Sequence, residues 1–308
     1  MKYLIVGAGG TGGMISAYMS RAGLDATLIA RGSHLHEIKY HGLNVMPTWE
    51  KPYKVNVKVC EQQEYDEKPD VIFVCVKGYQ LEGVIPFLRR VSDSDTVVIP
   101  VLNGFGVADK LKVELPEPKV ISGLIYITAN KQAPGTIRIQ GEIFRIIFGT
   151  SDGKTEDPVL IEVANDLQSC SIDGVYSSMI DAEILKKFSL VSPWAACGLQ
   201  FNVNAGEIQK QGYIRKFYIK LVQEVENLGK ADGMTINLDE DLVKTNLAII
   251  DSLAPTAITS LQRDIENGKQ SEIGNLILDV VRRADMLGVA VPTYKKVVEN
   301  PIREMLMR

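Results

Sequence analysis

The first hundred residues alternate between short apolar runs and longer amphipathic stretches. The runs "KYLIVGA", "DATLIAR", "DVIFVCVK" (70–77) and "DTVVIPVLNG" (95–104) predict strands, and "TGGMISAYMSRAG" and "YQLEGVIPFLRRV" predict helices between them. The run at 70–77 is almost continuously apolar, which is typical of a strand buried on both faces. Strands that alternate with helices predict a parallel sheet with right-handed crossovers.

The pattern changes twice further along the chain. From about residue 120, several strand-like pieces separated by turn residues predict sheet-edge strands, some of them antiparallel. After about residue 178 the chain becomes helical, and Gly288 stands where a helix C-terminal cap is expected. Two apolar stripes at i, i+3, i+4 spacing predict a helical core: Ile214, Phe217, Tyr218, Leu221, Val222, Val225 and Leu228, and then Ile273, Leu276, Ile277, Val280, Val281, Ala284 and Leu287.

These patterns predict an α/β N-terminal domain over residues 1–178 and an all-α C-terminal domain over 179–308. The chain has 308 residues, of which 45% are apolar, and a net charge of −4. A charge this small gives no general attraction to nucleic acid or to a membrane surface. Because no apolar run reaches about 18 residues and the chain begins directly with a strand, we expect a cytoplasmic protein. The four cysteines lack paired spacing, so we expect reduced, mostly buried thiols.

All three histidines lie close together as His34, His36 and His41. The spacing could indicate a metal site, but no cysteine or carboxylate nearby completes a ligand set. We therefore predict a polar loop after the second strand and no metal. With every histidine placed there, another residue must transfer protons if the protein is an enzyme.

A glycine-rich turn follows the first strand and opens the first helix. In the motif Gly7-x-Gly9-x-x-Gly12, the first glycine allows a tight turn, the second lets the backbone approach a pyrophosphate, and the third lets the helix pack on the strand. The helix N-terminus then offers free N–H groups to phosphates. We predict dinucleotide binding, rather than a turn without a ligand, by the residues Gly7, Ala8, Gly9, Gly10, Thr11 and Gly12.

The second strand ends in Arg31, where an NAD-binding domain usually carries an acidic residue. A guanidinium suits the 2′-phosphate of NADP, through charge and paired donors. The alternative is an ordinary solvated surface charge. We predict a preference for NADP(H) over NAD(H), and the N-terminal domain is then of the Rossmann type.

Six segments together resemble the ketopantoate reductase family, in that family's order along nearly the whole chain. They are "VGAGGTGG", "IAR" (29–31), "VKGYQ" (76–80), "LNGFG" (102–106), "AEILKKF" (182–188) and "SLQRDI…SEI" (260–273). The resemblance implies an enzyme that reduces 2-dehydropantoate to (R)-pantoate with NADPH in pantothenate biosynthesis. It also implies a Rossmann-type domain, a helical domain and an active site in the cleft between them.

The resemblance implies roles for five residues. Lys77 matches a lysine close to the cofactor, and Asn103 matches an asparagine near the nicotinamide and the substrate. Lys187 matches the catalytic lysine, whose ammonium would stabilise charge on the carbonyl oxygen and supply the proton. Ser260 matches a residue that binds the substrate carboxylate. Glu272 matches an acid that binds a substrate hydroxyl and holds the lysine.

Two further residues near these positions leave alternatives open. Lys186 could compete with Lys187, but it matches a basic, non-catalytic position of the family. Asp264 follows Ser260 by one helical turn and either supports that segment or is a surface charge.

The chain departs from the family on the helix that carries the lysine. The family has asparagines four and eight residues after the lysine, where this chain has Val191 and Ala195. The three positions would share one helix face, so the resemblance implies a substrate wall without two amides. Pro193 predicts a kink in the same helix. We therefore expect a small 2-keto acid as the substrate. A 2-keto acid that lacks a distal hydroxyl is the alternative to 2-dehydropantoate.

Two other interpretations remain open from the sequence. One is a related two-domain NADP-dependent dehydrogenase of the β-hydroxyacid type with another substrate. The other is a non-catalytic NADP(H) sensor whose substrate wall has drifted. The joint retention of Lys187, Ser260 and Glu272 favours catalysis. A homodimer is one assembly that the long helical half would allow.

Overall fold

The computed structural model describes residues 1–234 and 241–299, which form two compact units. The first unit comprises Met1–Leu102 and Gly106–Ile180. The second comprises Asn103–Phe105 together with the described residues from Asp181 onward. Three residues of the loop that follows a strand of the first unit therefore belong to the second unit.

A six-stranded sheet of parallel strands forms the centre of the first unit. Its spatial order is β5-β2-β1-β6-β7-β8, and every neighbouring pair is parallel. This is the doubly wound order, in which the direction of winding reverses between β1 and β6. The strands are β1 Lys2–Val6, β2 Asp25–Ile29, β5 Lys58–Cys60, β6 Val71–Val74, β7 Val97–Pro100 and β8 Lys119–Val120.

Alternate residues of the central strands contribute to two separate cores. Along β1, Tyr3 and Ile5 belong to one apolar cluster, whereas Leu4 and Val6 belong to another. Because successive side chains of a strand point to opposite faces, this sheet is buried on both faces. Five helices accompany it: α1 Gly10–Arg21, α2 Gly32–His41, α3 Leu81–Val91, α4 Val107–Glu114 and α5 Pro158–Ser169.

The remaining strands of the first unit form two smaller sheets. A four-stranded sheet has the order β10-β11-β3-β4, and a three-stranded sheet has the order β13-β12-β9. The predicted antiparallel pairing after residue 120 is confirmed, but only β8 lies at the edge of the parallel sheet; the others form these separate sheets. The strands are β3 Leu43–Pro47, β4 Tyr53–Val55, β9 Ser122–Tyr126, β10 Ala129–Ala133, β11 Thr136–Ile139, β12 Arg145–Gly149 and β13 Asp173–Tyr176.

The predicted polar loop around the histidines is wrong, because the segment forms helix α2. Leu35 and Ile38 are buried at helical spacing, and Gly42 ends the helix with φ +75°. His34 shares the buried side, whereas His36 and His41 are exposed. The apolar side was too short to stand out among polar residues in the sequence.

The second unit is helical, as predicted. Both predicted apolar stripes contribute to one core, except that Leu287 is 41% exposed. Gly288 caps its helix in the left-handed conformation, with φ +67°. The helices are α6 Ile180–Phe201, α7 Ala205–Gln209, α8 Tyr213–Ala231, α9 Leu242–Ser252, α10 Ser260–Glu266, α11 Asp279–Leu287 and α12 Pro292–Glu299, with a π-helical turn over Gly274–Leu278.

The four cysteines are free thiols; Cys170 and Cys197 are buried, while Cys60 and Cys75 are half-buried. No helix in the described ranges has the length and hydropathy needed to cross a membrane. Within residues 1–234 and 241–299, no group of three or more His, Cys, Asp or Glu residues is arranged to hold a metal ion.

Candidate active site

The glycine turn joins β1 to α1 and brings three glycines close to the start of the helix. Gly7 has φ +113°, a conformation that L side chains rarely adopt. A Cβ at Gly12 would overlap the carbonyl oxygen of Gly7, so this glycine allows the helix to pack on the strand. A Cβ at Gly9 would meet no protein atom within 4 Å, so open space lies beside the backbone there. These residues fit a dinucleotide at the N-terminus of α1.

The loop after β6 lies against this turn. A Cβ at Gly7 would lie 3.0 Å from the backbone nitrogen of Val76 and 3.0 Å from the carbonyl carbon of Cys75. Because β1 and β6 are neighbours where the sheet order reverses, their carboxyl ends form the crevice in which doubly wound sheets bind ligands. Lys77 is half-buried at the next position and begins the 3-10 turn Gly78–Gln80. Its backbone N–H donates to Oε1 of Gln80 at 3.3 Å.

Arg31 lies at the end of the second βα connection and is the N-cap residue of α2. Its side chain is exposed. An exposed guanidinium at the carboxyl end of β2 is accessible to a phosphate group. The strand β2, which precedes Arg31, pairs directly with β1.

Lys187, Asn103 and Glu272 form the polar cluster of the helical unit. The Nζ of Lys187 donates to Oδ1 of Asn103 at 2.9 Å, although 84 residues separate them in sequence. Burial lowers the pKa of Lys187 to about 8, and the carboxylate of Glu272 acts in the opposite direction. Glu272 itself is 3% exposed. A lysine with a pKa near neutrality, held by an amide and facing a buried carboxylate, can donate and recover a proton.

Helix α6 presents Lys187 between two core residues. Leu185 and Phe188 are both buried in the helical core, so the lysine is held at the border of the core. One residue further, the buried Ser189 donates to the carbonyl of Lys186 at 2.9 Å and accepts from Nδ2 of Asn246 at 2.9 Å. This contact ties α6 to α9 beside the lysine. Lys187 is thus the residue of this helix that the structure shows bound to Asn103.

Asn103 is held by a clamp that the sequence did not reveal. Two residues after it, the ring of Phe105 meets Phe188 edge to face, with centroids 5.2 Å apart. The guanidinium of Arg283 lies 5.2 Å from the centre of the same Phe105 ring. Asp232 orients that guanidinium through two hydrogen bonds of 2.7 and 2.8 Å. In the sequence, Arg283 lies within an apolar helix pattern, and nothing in that pattern indicates a contact with Phe105.

Ser260 and Asp264 lie on helix α10, the second of them one turn after the first. Ser260 is half-buried at the first helical position, directly after the capping residue Thr259. Thr259 accepts from the backbone N–H of Gln262 at 3.2 Å, and the Gln262 side chain accepts from the backbone of Thr259 at 3.1 Å. This reciprocal cap fixes the start of the helix on which Ser260 lies. Asp264 is half-buried.

The two positions that depart from the family differ in their surroundings. Val191 is half-buried against the helical core, while Ala195 is completely buried within it. Residue 195 therefore does not line an open surface, contrary to the wall implied by the i, i+4, i+8 spacing. Helix α6 continues through Pro193 to Phe201, so the proline does not end the helix.

Comparison with protein families matches both halves of the chain. Residues 3–153 match the family described as ketopantoate reductase PanE/ApbA, and residues 179–300 match its C-terminal region. A 2-dehydropantoate 2-reductase of Aquifex aeolicus is 27% identical over 296 residues, which cover 95% of this chain and 93% of that protein.

Solved structures share the fold at low sequence identity. The 2-dehydropantoate 2-reductase of Methylococcus capsulatus aligns with a TM-score of 0.87 and 22% identity, over 99% of this chain and 96% of that one. A D-mandelate dehydrogenase solved with NADH and anilino(oxo)acetate aligns with a TM-score of 0.85 and 22% identity, over 97% and 96%. The same fold therefore occurs in enzymes named for different substrates.

Proposed function

This chain belongs to the ketopantoate reductase PanE/ApbA family, whose members are oxidoreductases acting on CH–OH groups, and on that premise we propose that it reduces a small 2-keto acid with NADPH. The first candidate substrate is 2-dehydropantoate, which would become (R)-pantoate. The observation that carries the proposal is the hydrogen bond from Lys187 to Asn103 together with the lowered pKa of that lysine.

Lys187 is the proposed general acid. When bound, the nicotinamide supplies the hydride that reduces the keto carbon. Nζ of Lys187 stabilises the negative charge that develops on the substrate oxygen and transfers a proton to it. A pKa near 8 leaves the lysine protonated at neutral pH yet makes it a far better proton donor than an ordinary lysine.

The neighbouring groups orient the lysine and the substrate. Oδ1 of Asn103 accepts from Nζ and restricts the ammonium to one direction. The Glu272 carboxylate keeps the lysine protonated and is the proposed acceptor for a substrate hydroxyl. Ser260 is the proposed donor to the substrate carboxylate, because its hydroxyl is half-buried at a helix start that the Thr259 cap holds in place.

The proposed cofactor site comprises the glycine turn from Gly7 to Gly12, together with Arg31 and Lys77. The open space at Gly9 supports a dinucleotide, and the exposed guanidinium of Arg31 supports NADPH over NADH. The D-mandelate dehydrogenase with the same fold was solved with NADH, so the fold by itself does not require NADPH. Arg31 is therefore the residue on which the NADPH preference rests.

A second candidate substrate is a 2-keto acid with an apolar side chain and no distal hydroxyl. Val191 lies one helical turn after Lys187 and is half-buried, where the family has an amide. An apolar side chain there offers no hydrogen bond to a substrate hydroxyl and favours burial of a methyl or aryl group instead. The fold shared with a D-mandelate dehydrogenase supports this alternative.

The experiment is a nicotinamide-oxidation assay with purified protein and a panel of keto acids. We would compare 2-dehydropantoate with its analogue without the hydroxyl and with phenylglyoxylate, each with NADPH and NADH. Robust turnover of 2-dehydropantoate that disappears in Lys187→Ala supports the first candidate. Turnover of an apolar keto acid, without turnover of 2-dehydropantoate, supports the second candidate substrate. Tight NADPH binding without turnover of any keto acid would overturn the proposal in favour of a sensor.

Two remaining expectations stay predictions. A homodimer is one assembly that the helical unit would allow, and light scattering on the eluted protein measures the assembly directly. The protein is expected in the cytoplasm, which fractionation of its native cells tests.

A further inference from the structure

His34 is bound at one ring nitrogen to a distant turn of the first unit. The residue is only 5% exposed, and its Nδ1 accepts from the backbone N–H of Gly135 at 2.8 Å. Because Nδ1 accepts this hydrogen bond, it carries no proton, and the neutral ring must carry its proton on Nε2. The geometry therefore sets the tautomer.

The second ring nitrogen is buried inside the first unit. No residue in the described ranges forms a hydrogen bond with Nε2 of His34. The backbone of Ala8, inside the turn, is nevertheless close enough to raise the pKa of the ring. Burial and the positive charge of Lys131 outweigh that effect and lower the pKa of His34 below its ordinary value. The imidazole is therefore neutral at pH 7, with its proton on Nε2.

The hairpin that contains Gly135 also supports the start of α1. A Cβ added at Gly10 would overlap the backbone of Ala129 on β10, and one added at Gly13 would overlap the side chain of Ile137 on β11. Gly135 itself has φ +68° in the turn between these strands. The hairpin, the ring of His34 and the glycine turn thus form one continuous contact.

We propose that His34 in its neutral form is a positioning residue for the dinucleotide-binding turn. Its Nδ1 holds the hairpin turn at Gly135, and the hairpin packs against the start of α1. Together they keep the first N–H groups of α1 in the arrangement that a pyrophosphate needs. The inference rests on the proposed function only in that a nicotinamide dinucleotide is the ligand.

The test compares three variants by direct titration with NADPH and with NADH. His34→Leu removes the acceptor for the backbone N–H of Gly135, and His34→Asn keeps one. His36→Asn changes an exposed histidine on the same helix and is the matched control. We expect Kd to rise about tenfold for both nucleotides in His34→Leu, to recover in part in His34→Asn and to stay unchanged in His36→Asn. Amide exchange at Gly135 should accelerate in His34→Leu.

A pH titration keeps the inference testable if His34→Leu fails to fold. Protonation of Nδ1 would break the bond to Gly135, so the wild-type Kd for NADH should rise as the pH falls through the pKa of His34, and His34→Asn should lack this limb. The charged group that acts on the ring is Lys131 on β10. On α2, Glu37 packs beside Gly135 and pairs with His41 at 3.0 Å, and the glycine turn has no titratable side chain.

The outcomes separate this inference from the proposed function. If the wild type binds a nucleotide and the His34 variants bind it equally well at every pH, the inference is wrong and the proposed function stands. If the wild type binds neither nucleotide, both are overturned.

Discussion

The ammonium of Lys187 and the amide of Asn103 are joined by a hydrogen bond of 2.9 Å across 84 residues of chain. Asn103 follows a strand of the first unit, yet the segment Asn103–Phe105 belongs to the helical unit. The loop after β7 therefore delivers a side chain to the lysine helix. This relationship is the basis of the first predictions.

The rate of keto-acid reduction should fall as the pH rises above about 8. Lys187 has its pKa lowered to about 8, and a general acid is active only in its protonated form. The reduction rate is then greatest below that pKa, and the reverse oxidation should show the opposite dependence. Lys187→Ala should abolish this fall in rate above pH 8, the alkaline limb of the pH profile, and should reduce kcat about 10²- to 10⁴-fold. An unchanged pH profile in the variant would rule out this role.

Glu272→Gln should move the same limb to lower pH. The carboxylate raises the pKa of Lys187 against the effect of burial, so its removal leaves the lysine less protonated at neutral pH. Glu266→Gln, at an exposed position of α10, is the control and should leave the limb unchanged. The pH dependence of kcat measures both. A limb that moves upward in Glu272→Gln would contradict the electrostatic argument.

Gly9→Ala and Gly12→Ala should separate cofactor binding from folding. A Cβ at Gly12 would overlap the Gly7 carbonyl, so this variant should lose about 1–3 kcal/mol of unfolding free energy. At Gly9 φ is −76° and a Cβ meets no protein atom, so the variant should fold normally but bind NADPH weakly. Thermal unfolding and nucleotide titration measure the two effects. Tight NADPH binding by Gly9→Ala would place the pyrophosphate elsewhere.

Arg31→Ala should weaken the binding of NADPH about 10- to 100-fold and leave NADH binding nearly unchanged. The guanidinium is exposed and suits the 2′-phosphate, which NADH lacks. Lys39→Ala removes an exposed positive charge from the same helix and is the control for a general electrostatic effect. An equal loss of affinity for NADPH and NADH would show that Arg31 does not bind the 2′-phosphate.

Arg283→Met should reduce kcat about tenfold or more with little change in nucleotide affinity. Without its guanidinium the ring of Phe105 loses a cationic neighbour, and the loop that carries Asn103 loses its tie to Asp232. Arg282→Met is the matched control, because Arg282 is exposed on the same helix and pairs with Asp279. Steady-state kinetics and nucleotide titration of both variants test whether the contacts of Arg283 with Phe105 and Asp232 position Asn103. Equal effects of the two substitutions would refute this positioning.

Much of the fold was predictable because its patterns are local. The strand–glycine turn–helix at the start of the chain, the buried run that became β6 and the apolar stripe of α8 each follow from side chains a few residues apart. Helix α2 was missed because its buried side consists of few residues among polar ones. The smaller sheets could not be assigned because β11 pairs with β3, more than eighty residues earlier, and nothing local encodes that partner.

The amino-acid sequence by itself determined the doubly wound α/β unit, the helical unit, the glycine turn and the family, since short-range periodicity and contiguous motifs carry all of these. Only the tertiary structure decided that Lys187 contacts Asn103, that Arg283 lies over the ring of Phe105, that Ala195 is buried in the core and that His34 binds the backbone of Gly135. These relationships depend on contacts between residues far apart in the chain. Burial, and with it the pKa of Lys187, exists only once those contacts have formed.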